Sequence, residues 1–237
     1  MKAFLYGVYL QWKLDIRSRT ILITCYLVPL LFFALMGGIF SSVMPETTCT
    51  LLQSMTVFGV TMGALIGLPP TLVEIYGSDI QKVYRAGGVP VFLGLILTNL
   101  SAFLHLFLMS LILYAAAPAA FGAALPQHPG LYFSGLAILI LVSLNIASIL
   151  GLAVKDPSKT PMFSILVFLP SVLLSGIMFP AQLLPESLRT AGVIFPASWG
   201  YRLLTDGGFT FSNLCPLLWM LAAAVAVCLI LARKVGK

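Results

Sequence analysis

Five stretches of the chain run without a charged side chain: Thr20 to Pro45, Thr47 to Val73, Ala86 to Val154, Thr160 to Pro185 and Gly207 to Ala232. A helix needs about 20 apolar residues to cross roughly 30 Å of hydrocarbon, and the third stretch has room for two such helices with a turn between them. The pattern predicts an all-α membrane protein of six transmembrane helices in a single domain, residues 1–237. The spans fall at about 20–42, 51–72, 90–116, 132–154, 162–179 and 211–232.

The segments between the spans carry patterns of their own. In residues 2–18, Phe4, Val8, Trp12 and Ile16 recur every fourth position, with Leu5 and Tyr9 beside them, while Lys2, Gln11, Asp15 and Arg17 lie off that face. This predicts a helix in the membrane interface with its polar side turned to water. Span two carries Gly59, Gly63 and Gly67 on one stripe, which lets another helix approach closely, either within the chain or across a dimer. Residues 74–86 place Tyr76, Ile80, Val83 and Tyr84 on one side of a short cytoplasmic helix and Asp79, Lys82 and Arg85 on the other. Such a helix either touches lipid headgroups or docks into a groove on a partner protein. Residues 181–205 are too polar to span and too apolar for a free loop, and they predict two short outer helices. Pro185 and Glu186 open the first, Pro196 breaks it near Ile194, and Ser198 caps the second, which runs through Leu204.

Composition narrows the function. With 60% hydrophobic and 8% charged residues, the chain leaves no room for a soluble catalytic domain. Its net charge of +6 reports topology rather than nucleic-acid binding. With the N-terminus inside, Lys2, Lys13, Arg17, Arg19, Lys82, Arg85, Lys155, Lys159, Arg233, Lys234 and Lys237 are cytoplasmic, and Arg189 and Arg202 are outside. The positive-inside bias places both termini in the cytoplasm, and the first apolar stretch lacks the form of a cleavable signal peptide.

The sequence has no phosphate-binding Gly-x-x-x-x-Gly-Lys-Ser/Thr loop, so no nucleotide cofactor is expected on this chain and any ATP use needs another subunit. Metal ligation lacks its clusters, since the histidines are His105 and His128 and the four cysteines form no Cys-x-x-Cys. Cys49 and Cys215 both fall near the outer surface, where a disulfide between them is conceivable. No span carries a buried acid of the kind a proton-driven carrier uses. His105, within span three, reads either as a packing histidine or as a functional group. With Ser143, Ser148 or Ser171 it keeps a membrane-embedded hydrolase or transferase open as an alternative.

The stretch Leu174-Ser-Gly-Ile-Met-Phe-Pro180, then Leu184-Pro-Glu186 and Pro196 to Arg202, resembles the fifth span and outer helices of ABC exporter permeases of the type V fold (the ABC-2-type permease family). The likeness covers the whole chain: Trp12 to Arg19 resembles the N-terminal connecting helix, and Glu74 to Pro90 the coupling helix and the proline that opens span three. Residues 77–85 lack the family's usual acidic, Gly-Thr-Leu-like wording. The resemblance implies a permease subunit in the inner (cytoplasmic) membrane, paired with a second permease protomer, the same or related. Two copies of an ATP-binding cassette subunit would hold ATP and Mg. It implies coupling through Tyr76, Ile80, Val83, Tyr84 and Arg85, outer helices that dip back toward the membrane as an exit gate, and a route lined by spans one, two and five. The polar candidates on that route are Gln53, Thr56, Thr61, Ser171 and Ser175. An uncharged route suits an amphipathic or lipid-like substrate or drug.

Overall fold

A computed structural model of the chain describes residues 2–43, 45–77, 90–154, 156–178, 183–205 and 207–235. Most of these are helical, with no strand among them. Helix α1 (Lys2–Arg17) is separated by Ser18 from α2 (Arg19–Val43). After α2 come α3 (Glu46–Tyr76), which begins as a 3-10 turn, α4 (Val91–Phe121), α5 (Pro129–Ala153) and α6 (Thr160–Leu173). Two short helices follow, α7 (Glu186–Gly192) and α8 (Pro196–Leu204), before α9 (Phe211–Val235).

Five of these, α2, α3, α4, α5 and α9, are long and apolar enough to cross a membrane. The expected span at 162–179 is shorter: α6 has 14 residues and stops at Leu173. Pro170 inside α6 supplies no amide hydrogen, and Gly176 at φ +85° turns the chain shortly afterwards. Spans three and four, expected at 90–116 and 132–154, grow toward each other instead. Gly122, at φ +62°, closes α4 through its amide on the Pro118 carbonyl, and Pro129 stands at the first turn of α5.

Helix α3 is the centre of the bundle, with every residue from Leu51 to Thr61 buried. Helix α5 lies against it and also touches α4, α8 and α9. Around this core, α2 exposes Ile23, Leu27, Leu31, Leu35 and Ile39 at every fourth position, and α6 exposes Met162, Leu166, Leu169 and Leu173. An outward apolar stripe on a helix whose other side meets the core suits a hydrocarbon solvent.

Both α2 and α3 widen into a π-turn, at Ile23–Leu27 and Gly63–Gly67, and the two π-turns touch. The glycine stripe faces this contact inside the chain. A Cβ at Gly63 would overlap the side chain of Leu106, one at Gly59 would strike Met109, and one at Gly67 would come 2.8 Å from the Thr24 hydroxyl.

Candidate functional site

The end of the bundle away from the N-terminus holds a cavity of about 380 Å³. Phe40 comes to it from the last turns of α2, and Thr50 and Ser54 from the start of α3. Leu174 to Met178 follow α6, and Arg189, Tyr201 and Arg202 come from α7 and α8. Two side-chain bonds hold α8 at a fixed corner to α7: Ser198 Oγ donates to the Gly192 carbonyl at 2.6 Å, and Trp199 Nε1 to the Val193 carbonyl at 2.8 Å. Gly192 permits this corner, because a Cβ there would overlap the Leu174 carbonyl oxygen. Sequence reasoning expected Pro196 to break a helix and Ser198 to cap one. Pro196 instead starts α8, where its missing amide hydrogen has no intrahelical partner to lose, and the Ser198 hydroxyl is spent on α7.

Among the described residues, the charged side chains that line the cavity are Arg189 and Arg202. Arg189 and Arg202 are both exposed, and neither pairs with a carboxylate among the described residues. The Arg202 guanidinium lies over the Trp199 ring, 5.0 Å from its centroid.

Of the expected lining residues, Ser175 reaches this cavity, with its hydroxyl donating to the Val172 carbonyl at 2.8 Å. Gln53, Thr56, Thr61 and Ser171 are buried elsewhere in the bundle. Thr56 and the Tyr132 hydroxyl are 2.8 Å apart, Thr61 and Ser171 donate back to the Val57 and Val167 carbonyls, and Gln53 Oε1 has no partner. Of the coupling residues, Tyr76 is buried at the end of α3 in the chain's own core. Ile80, Val83, Tyr84 and Arg85 lie outside the described residues, as do Phe179 to Gln182. The thiols of Cys49 and Cys215 are free.

A second polar cluster corrects the orientation expected for α1. Asp15, expected to face water, is 4% exposed and turned onto α4. Ser101 Oγ donates to Asp15 Oδ2 at 2.5 Å, and Gln11 Nε2 to Oδ1 at 2.9 Å. Tyr6, Tyr9, Leu10 and Leu14 are exposed instead. Burial raises the Asp15 carboxyl above its usual range, against the two hydrogen bonds and the neighbouring His105, which lower it. His105 is itself enclosed, with Nδ1 2.7 Å from the Tyr26 hydroxyl and its ring stacked on Trp12 at 5.9 Å. Its Nε2 is buried without a partner. Ser148 is bonded to Asn99 and Ser171 to its own helix, and none of the three serines considered with His105 is hydrogen-bonded to it.

Sequence reasoning missed Arg189 and Arg202 as a pair, and it missed Asp15. The signal for the arginines was their isolation from every other basic residue. For Asp15 it was Gln11 one turn away, since two hydrogen-bonding side chains at i and i+4 make a polar face able to meet another helix. No protein-family model matches this chain, and no curated protein matches it either.

Proposed function

We propose that the chain is the membrane permease subunit of an ATP-driven exporter, which moves an amphipathic or lipid-like substrate or drug outward across the cytoplasmic membrane. The observation that carries this reading is the convergence of segments far apart in sequence. Leu174 to Met178, and Ser198, Tyr201 and Arg202, all within the stretches that resemble exporter permeases, line one cavity together with the facing ends of α2 and α3. A bundle that keeps an open cavity with both polar and apolar walls at one end of its helices has a place where cargo can leave. In this reading α6 and the turn after it make a sixth crossing, α7 and α8 form the outer gate, and both termini are cytoplasmic. Helix α1 and residues 74–86 receive the motion of two ATP-binding subunits. Closure of those subunits would repack this protomer against a second permease and bias the gate toward opening.

The test is gentle detergent purification of the tagged chain at native expression level, with mass spectrometry of whatever stays bound. A stoichiometric partner carrying a phosphate-binding loop is expected, and with it either a second copy of this chain or a related permease. Absence of any such ATPase after cross-linking through residues 74–86 would overturn the reading. In the reconstituted complex, Ile80→Asp and Tyr84→Asp are expected to abolish stimulated ATPase activity and export, because each forces a charge into an apolar contact.

A further inference from the structure

We propose that the cavity binds the phosphate of an anionic lipid headgroup, with Arg189 and Arg202 as its counter-charges. The inference rests on the exporter reading in taking this end of the bundle as the outer one.

The positions of the basic residues carry the argument. The chain has 13 Lys and Arg, and all but Arg189 and Arg202 fall in segments at the opposite helix ends by their place in the sequence. Basic residues are the minority on the outer side under the positive-inside bias, and these two stand there with no carboxylate partner among the described residues. They come from two different short helices and line the same cavity. A guanidinium offers a rigid fork of donors that fits phosphate oxygens two at a time, and the pair would hold one phosphate from two directions. Thr50, Ser54 and Tyr201 line the same space and bring hydroxyl-bearing side chains to it, of which the Thr50 hydroxyl donates to the Thr47 carbonyl. The remaining wall is apolar, formed by Phe40, Leu174, Ile177 and Met178, and the exposed Leu169 and Leu173 of α6 lead up to it. A small hydrophilic anion gains nothing from that wall, whereas an acyl chain continues along it once the phosphate is held.

The experiment uses the purified chain alone, so its outcome does not depend on an ATPase partner. The protein is reconstituted in nanodiscs of equal phosphatidylglycerol and phosphatidylcholine, released, and the retained lipid is read by native mass spectrometry. Wild-type protein is expected to retain phosphatidylglycerol over phosphatidylcholine by about tenfold, the scale of one charge-assisted contact. R189Q/R202Q is expected to fall to parity, with a melting temperature lowered by no more than the loss of the exposed Arg202–Trp199 contact allows, which R202Q alone measures. R189K/R202K, which keeps the charge and loses the fork, is expected to fall between. Equal retention of the two lipids by wild type, undiminished enrichment in R189Q/R202Q, or an R189K/R202K variant no better than R189Q/R202Q would overturn the proposal. Millimolar inorganic phosphate is expected to leave the enrichment intact. If phosphate alone erases it, the ligand is a free anion and the lipid assignment fails.

Discussion

Asp15 shows what a single buried carboxyl does to a membrane-associated helix. Its pKa is raised in the folded state above the ordinary 3.8, so the folded protein holds the proton where the unfolded chain has already released it. Stability is therefore highest below pH 4 as far as this group is concerned, falls as pH rises through the raised folded value, and stays level above it. Asp15→Asn cannot ionise and still accepts from Ser101. Its melting temperature in detergent is expected to lose that slope and to match or exceed wild type at neutral pH. Parallel pH curves for the two proteins would sink the assignment. Gly63 gives a contrasting test. Gly63→Val drives its methyl groups into Leu106, which is fully buried, at a cost of about 1–3 kcal/mol in thermal unfolding. Gly38→Val, with nothing within 4 Å of its Cβ, is expected to stay near wild type. The glycine stripe was legible in the sequence because spacing alone defines it. The burial of Asp15 was not, because periodicity groups residues onto faces without saying which face meets protein when lipid accepts the apolar one.

Among the elements, the long apolar helices and the pair of short helices before the last were legible, because charge-free length and punctuation by Pro and Gly are local signals. Their ends were less so. Pro196 can stop one helix or start the next, and the choice falls to α8 because Ser198 and Trp199 have carbonyls of 192–193 within reach. Ser198→Ala removes one of those two ties and is expected to cost about 1 kcal/mol of stability. The same substitution at Ser134, an exposed serine bonded only to the Gly130 carbonyl of its own helix, serves as the control and is expected to change little. Equal losses at the two sites would mean that the α7–α8 corner is not held by this bond. The facing π-turns of α2 and α3 were invisible to periodicity, since one inserted residue per turn shifts a stripe without erasing it.

At the scale of the whole molecule, the core around α3 follows from the sequence in kind but not in place. The residues Gln53, Thr56 and Thr61 were singled out for their polarity among apolar neighbours. The structure encloses them within the chain's own helices, and the cavity forms a turn away, at Thr50 and Ser54. Which polar residue meets empty space depends on where α7 and α8 fold back, and that is decided by contacts some 150 residues distant. Orientation has a direct test in the native cysteines. Cys49 is exposed in the turn that begins α3, while Cys25 and Cys228 are buried. In a Cys215→Ser background, a membrane-impermeant maleimide is expected to label Cys49 in intact cells, and a Cys introduced as Lys234→Cys only after permeabilisation. The reverse pattern would invert the topology.

The shortness of α6 bears on the thickness of the surrounding membrane. Its 14 residues reach about 21 Å, well short of a hydrocarbon layer of about 30 Å. If α6 with the turn after it is the proposed sixth crossing, lipid beside it would sink to meet it, at a cost of a fraction of a kcal/mol for each ångström of mismatch. In the exporter reading, where α6 begins a sixth crossing, the bilayer would be thinnest along this flank, which leads to Leu174 at the cavity. Headgroups there would ride lower than in the rest of the leaflet, closer to the cavity that Arg189 and Arg202 line. A lipid would then enter sideways from the leaflet, and a thicker bilayer, with more mismatch to absorb, would deepen the dimple.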